Sequence, residues 1–439
     1  MSEQETGSRL DNLYDLITGD EDARVCKDIP DSACTHQPRN FFAYLLANLF
    51  NKIADEVASA KLTLPWMLGA LGAPAAFTGF LVPLREAGVL LPQMVVAAYI
   101  RAMPLRKPVW LLGAALSALS LFGMAAAALT LDGSAAGFAI VGLLAIFSLS
   151  RGLCSVSAKD VLCKTVSKSR RGRLMGYSSA IAGVAVLIVG AIISITDMNE
   201  APLWLFAALL AGSGLIWLAA IAAFARIQEV PGATEGGGNA LQAALQHLNS
   251  LRENPDFRRF VIARVLLLAV ALAPPFYVLM AQAQVGGGLN GLGMLIVASG
   301  IAGSVSSPFW GWLGDRSSRR VMILAASGAG ILGVGAFIAA QADLAIMHHE
   351  LTFAVIFLLF TVMHSGVRLG RKVYLVDLAT EKTRAGFVAV SNTVIGVAML
   401  AGGLVGVLGD LYGARSVVLL LGLASLGAAL YLRTLVEVE

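Results

Sequence analysis

Residues 202–225 read PLWLFAALLAGSGLIWLAAIAAFA, 24 consecutive positions without a single charged side chain. Wound as an α-helix at about 1.5 Å per residue, the stretch is roughly 36 Å long, enough to cross a hydrocarbon core of about 30 Å. Backbone polar groups inside a bilayer must be satisfied within the chain, so such a run crosses as a helix. The same window finds similar runs near 44–70, 75–100, 108–130, 136–158 and 174–196. After a break it finds 260–283, 291–313, 320–341, 351–374, 386–408 and 415–433. The expectation is an all-α integral membrane protein with about twelve transmembrane helices. Composition agrees: 57% of the 439 residues are hydrophobic and 14% are charged, against roughly 25% charged in soluble domains. No stretch between spans is long enough to fold as a separate catalytic domain, and an enzyme is not expected.

The first span is the polar one. Asn48, Asn51, Lys52, Asp55, Glu56, Ser59 and Lys61 all fall inside it. Basic residues support counting it. With the amino terminus inside, the inner loops hold Arg101, Arg106, Lys107, Lys159, Lys164, Lys168, Arg170, Arg171 and Arg173. Further along they hold Arg252, Arg258, Arg259, Arg316, Arg319, Arg320, Arg371, Lys372, Lys382 and Arg384. The outer loops hold Arg415 beside Asp132, Asp197, Glu200, Asp343 and Glu350. Lys and Arg collect on the cytoplasmic side, so both termini are expected there, in a plasma membrane; short loops favour a bacterial inner membrane. The net charge of +4 sits in these loops and gives no nucleic-acid signal. The acidic first 38 residues lack the basic start and apolar core of a cleavable signal. Their Cys26 and Cys34 are expected to be reduced thiols, as in a cytosolic tail.

Residues 226–256 (RIQEVPGATEGGGNALQAALQHLNSLRENPD) form the longest interior break. Leu241, Leu245, Leu248 and Leu251 share one face of a short helical stretch within it. The expected division is a tail over 1–38, a six-helix half over 39–226, a linker over 227–257 and a second half over 258–439. The halves echo each other. The fourth span carries Arg151 and the tenth Arg368 near their inner ends, and basic loops ending Arg171-Gly172 and Arg384-Ala385-Gly386 follow. Pseudo-symmetric halves of this kind are a recurring plan of secondary transporters.

At Gly311-Trp312-Leu313-Gly314-Asp315-Arg316-Ser317-Ser318-Arg319-Arg320 the sequence resembles the major facilitator superfamily (MFS). Its loop pattern is Gly-x-Leu-x-Asp-Arg-x-Gly-Arg-Arg, and Ser318 replaces the usual Gly. The loop falls between the eighth and ninth spans, one of the family's two places for it. The first-half copy lacks its acid: Tyr99 or Ala102 stands opposite Asp315, depending on the alignment. The fourth span only partly matches the family's Arg-x-x-Gln-Gly-x-Gly pattern, and the Gly-Pro signature of drug antiporters is missing from the fifth. The resemblance implies the MFS fold and alternating access. Gly311, Asp315, Arg316, Arg319 and Arg320 are then the expected gating loop, with Asp315 capping a helix or pairing with bases.

A charge at membrane depth costs at least about 2.5 kcal/mol, so each requires a reason. Candidates for binding an anionic substrate and a coupling proton are Asn51, Lys52, Asp55, Arg85, Glu86, Arg151, His364 and Arg368. Lys and Arg side chains suit an organic anion, and Asp55 or Glu86 suits the proton. The competing reading makes Asp55, Glu86, Lys52 and Arg85 structural pairs, and lets Arg151 and Arg368 merely reach the interface. Lys61 projects from a different face of its helix from the other polar residues. Lys159, Asp160, Arg371, Lys372 and Asp377 are expected to lie too near the interface to count. Gly172/Gly176 and Gly402/Gly406 have the spacing of close helix contacts, and Pro274-Pro275 must break or kink the seventh span. No Walker loop, metal-ligand cluster, cofactor site or nucleophile–base pair is present. The expected partners are a small-molecule substrate, protons and membrane lipids, with the protein a monomer. The alternative function is a non-transporting MFS-like receptor or assembly factor.

Overall fold

The computed structural model describes residues 14, 29, 31–91, 96, 99–100, 102–195, 202–232, 234, 250–380 and 383–438. Its helices are α1 (Gln37–Val57), α2 (Thr63–Ala70), α3 (Ala75–Leu90), α4 (Lys107–Thr130), α5 (Gly133–Thr165), α6 (Lys168–Ser194) and α7 (Leu203–Ala225). Beyond the linker come α8 (Pro255–Leu266), α9 (Leu268–Leu272), α10 (Pro274–Val285), α11 (Leu289–Gly314) and α12 (Ser318–Gln341). The last are α13 (Glu350–Leu378), α14 (Arg384–Gly402), α15 (Val405–Tyr412) and α16 (Ala414–Leu432). Among the described residues, ten helical spans are long and apolar enough to cross a bilayer, from α4 onward. The α1–α2 segment misses that measure through its charges and its break, and α3 has only 16 residues before the undescribed 92–95.

Local chemistry sets the ends. Pro108 and Pro255 occupy first turns, where a missing N–H costs nothing. Asn254 caps α8 by accepting from the Phe257 N–H at 2.9 Å. Gly286 and Gly413 close α10 and α15 at φ of 88° and 79°, a region that favours glycine. Pro274 follows an interruption at Ala273, which is the expected break of the seventh span. The linker stretch 240–249 and the leucine-rich tail face at 10–17, apart from Tyr14, lie outside the described residues. Tyr14 itself is buried against Phe41 and accepts a bond from Gln37 Nε2 at 2.5 Å.

Packing repeats between the halves. In the first, α4 packs on α5 and α7, and α3 packs on α5. In the second, α12 packs on α13 and α16, and α11 packs on α13. The halves meet along α3 with α14 and α15, along α6 with α11, and where α2 meets α10. These seams lie toward the end bearing the acidic loops. A Cβ on Gly79 would stand 2.5 Å from Gly403 O and 2.6 Å from Gly406 Cα. On Gly293 it would stand 2.3 Å from Ser194 N, so only glycine permits these backbones to touch. Asp410 adds a polar contact across the seam, accepting from the Ala75 and Ala76 N–H groups at 2.5 and 3.0 Å. It caps α3, whose N-cap Pro74 has no side-chain acceptor.

At the opposite end, which bears the basic loops, a Cβ on Gly172, Gly176 or Gly311 would meet nothing within 4 Å. Of the two glycine pairs expected to bring helices together, Gly406 does so and Gly402 touches the Leu272 side chain, whereas Gly172/Gly176 makes no close contact. Cys34 is disulfide-bonded, against the reduced state expected; Cys154 and Cys163 are free thiols.

Candidate functional site

The first span is longer than expected and is not continuous. It starts at Gln37, and residues 58–62 leave the helix between α1 and α2. No proline or glycine lies there. Instead, side-chain hydroxyls compete for the backbone: Thr63 Oγ1 donates to Val57 O at 2.7 Å, and the Lys61 N–H donates to Ser59 Oγ at 3.3 Å. The break carries Lys61. The seventh span is interrupted at Leu267 and Ala273, so the first helix of each half is broken. Paired broken helices in corresponding positions are where transporters of repeated architecture build their sites.

Two charge clusters surround this break. One lies within the first half. Asp55 Oδ2 accepts from Arg85 at 3.0 Å and from Arg151 at 2.7 Å. The Arg85 guanidinium lies 5.4 Å from the Phe147 ring centroid, and that of Arg151 lies 4.9 Å from Trp217. Arg151 thus turns inward rather than to the interface. Asp55 is thus held by two cations in a triad. Lys52 donates to Ser179, and Asn51 Oδ1 is buried without a hydrogen-bond partner. Asn48 joins the same helix pair through Ser178 Oγ at 2.7 Å.

The other cluster bridges the halves. Lys61 lies in the fields of Glu86, Arg368, Glu56 and Arg371; Glu86 lies in those of Lys61, Arg85, Arg371 and Arg368. His364 faces the cations of Lys61, Arg368 and Arg371, with Phe360 against its ring. Arg368 is exposed, whereas Glu86, Lys61 and Arg371 are half-buried. Neither Arg368 nor Arg371 makes a close ion pair or side-chain hydrogen bond among the described residues. Glu86 faces Lys61 most strongly and Arg85 of the Asp55 triad next, so it stands between the two clusters. Sequence reasoning missed Lys61 and Arg371. The broken helix re-aims Lys61, and the 29-residue α13 places Arg371 seven residues, about 10 Å, inside its end.

The gating loop is built differently from expectation. Ser317, not Asp315, caps α12, accepting from the Arg320 N–H at 3.1 Å. Asp315 is exposed at the end of α11 with no partner among the described residues, and Arg316 stacks over Trp312 at 4.3 Å. Arg319 pairs with Glu437 and donates to Leu435 O at 2.7 Å, while Ser317 also donates to Glu437. The first half repeats this clasp. Glu229, four residues beyond α7, accepts from the N–H groups of Arg106 and Lys107 at 2.7–2.9 Å and from Lys164 at 3.2 Å. Asp160 completes it by pairing with Arg106 and with Lys164, the latter at 2.7 Å. Neither glutamate is legible from the sequence, since each sits just past a span in a short polar stretch. Among the described residues there is no group of His, Cys, Asp and Glu able to hold a metal; His348 pairs with Asp343 at 3.0 Å.

Comparison with known proteins follows the same lines. The family model described as Major Facilitator Superfamily matches residues 265–439. No curated protein matches the chain. Among solved structures, the nucleoside transporter NupG superposes with a TM-score of 0.68 at 13% identity, over 90% of this chain and 99% of that one. The inward-open xylose transporter XylE from E. coli gives 0.61 at 16%, over 91% and 96%. A POT family transporter in complex with 5-aminolevulinic acid gives 0.66 at 11%, over 93% and 98%. At these identities the likeness is one of fold. Residues 265–439 thus resemble the Major Facilitator Superfamily in sequence, and the chain as a whole has the fold of these solved transporters.

Proposed function

We propose that the chain is a secondary active transporter that moves a small organic anion by alternating access, coupled to protons. Twelve spans, both termini in the cytoplasm, and a plasma membrane, bacterial inner membrane by preference, complete the reading, with the protein acting as a monomer among lipids. One observation carries it. A helix broken at membrane depth sets Lys61 against Glu86 and, from the other half, against Arg368 and Arg371. Cations from both halves attract an anion only while the halves can close on it, which is the geometry alternating access requires. Glu86 is the carboxylate that faces cations of both halves in that group, with Glu56 also bearing on Lys61, and its protonation changes the charge that the anion meets. With the close backbone contacts at Gly79, Gly403, Gly406 and Gly293 all toward the acidic end, the conformation is read as the one open toward the cytoplasm. Gly311, Asp315, Arg316, Arg319 and Arg320 are proposed to gate it: the free Asp315 is the group available to pair when the basic end closes.

The test is proton flux in proteoliposomes, with organic anions and cations added to wild type and to Glu86→Gln. Substrate-driven flux in wild type that disappears in the variant is the expected result. Equal flux in both would remove Glu86 from coupling, and no flux with any solute, from monodisperse protein, would defeat the transporter reading.

A further inference from the structure

Arg264, on α8, is 7% exposed and has no acidic partner among the described residues. Its Nη1 donates to Ser391, and Nη1 and Nη2 reach Asn392 Oδ1 at 3.4 Å, both on α14. Among the described residues its Nε is buried without a partner, and the ring recorded near it is Phe260 at 6.0 Å. Neutral dipoles alone therefore hold a buried guanidinium, and the charge that bears on it, from Arg371, is of like sign. A buried cation left this way is costly, several kcal/mol in general, and it persists where a ligand supplies the missing charge. The joint is specific to this half. Its counterpart between α1 and α6 is made by Asn48 with Ser178 and by Lys52 with Ser179, and Lys52 has Glu56 beside it. Taken together, the bridging cluster and this joint hold four cations, Lys61, Arg264, Arg368 and Arg371, against the carboxylates of Glu86 and Glu56. One negative charge on the substrate leaves half of that surplus unmet.

We propose that the transported anion is doubly charged, one negative group being held by Lys61 and Arg368 and the other by Arg371 with Arg264, Ser391 and Asn392. This rests on the reading of the bridging cluster as an anion site and specifies what that site selects. Arg264 presents a planar fork of five donors, three of them used by Ser391 and Asn392, which suits a carboxylate or a phosphate oxygen. Two carboxylates or one phosphate monoester supply the same charge.

The experiment measures binding to the purified full chain with matched pairs: succinate against succinamate, and ethyl phosphate against diethyl phosphate. Wild type is expected to prefer the dianion of one pair by roughly tenfold or more, the scale of one charge-assisted bond; which pair does so separates the two sources. Arg264→Gln is expected to bring that dianion down to its partner's level, and Arg264→Lys to keep part of the preference. Binding of each dianion no tighter than its less charged partner in wild type overturns the inference and leaves the anion reading intact. A preference that survives Arg264→Gln overturns the role of Arg264. Absence of binding by all four to monodisperse wild type takes down the anion reading itself. If Arg264→Gln fails to fold, the wild-type pairs and Arg264→Lys decide.

Discussion

In the first half, the carboxylate of Asp55 takes two guanidinium groups at 2.7 and 3.0 Å, and aromatic rings back both. In the second half, Arg264 is at least as deeply buried and has a hydroxyl, an amide and no acid. The contrast separates two uses of charge inside a membrane protein. A closed ion cluster needs nothing further and fixes the helices that contribute to it. An open one is incomplete until something enters. Position along the span does not tell these apart, since Asp55 and Glu86 lie at similar depth, and neighbours do.

The largest effect expected from breaking this contrast is at Asp55. Asp55→Ala leaves Arg85 and Arg151 uncompensated, and loss of a buried partner costs about 3 kcal/mol or more. Monodisperse yield and Tm should fall sharply, and the triple change with Arg85→Met and Arg151→Met should recover much of the loss. Transport, by contrast, should depend on the other cluster: Lys61→Ala is expected to lower anion uptake roughly tenfold or more, at one charge-assisted contact, with Tm near wild type. If Lys61→Ala unfolds the protein instead, Lys61 is a structural cation and the contrast fails. The seam is the next site to disturb. Asp410→Ala removes the cap on α3 and should cost about 1 kcal/mol, read as greater labelling of cysteines placed near the acidic end. Smallest is Gly172→Leu, which meets open space and should leave stability within about 0.5 kcal/mol of wild type, whereas Gly79→Leu, against Gly403 and Gly406, should not be tolerated.

What the sequence makes legible follows from how local each signal is. Uncharged runs such as 202–225 mark spans because hydropathy is a property of the run itself, and α7 ends at Ala225 as the arrival of Arg226 implies. The Pro274 break is legible because proline removes its own N–H. The break at 58–62 is not, since its cause is a pair of hydroxyls, Ser59 and Thr63, whose choice of backbone partner depends on the packed bundle. The candidate site divides in the same way. Glu86, His364 and Arg368 are found by asking which charges lie deep. Lys61 and Arg371 are missed, because a straight helix and a short span misplace them. Asp55, Arg85 and Arg151 are found but sorted correctly only once their distances are known. At Asp315 the loop pattern is legible while the cap goes to Ser317, because the helix begins later than the acid, at Ser318.

The paired clasps have a mechanical consequence. Glu229 ties the end of α7 to the start of α4, and Glu437 ties the chain beyond α16 to the start of α12. Each rivet closes a loop inside its own half and crosses to the other nowhere. A lever riveted this way does not flex along its arm; it pivots where the arms bear on each other, here the glycine seam of Gly79, Gly403 and Gly406. The work of switching is then concentrated in a few backbone contacts, and a ligand has only to outweigh those, through its difference in affinity between the two positions of the lever.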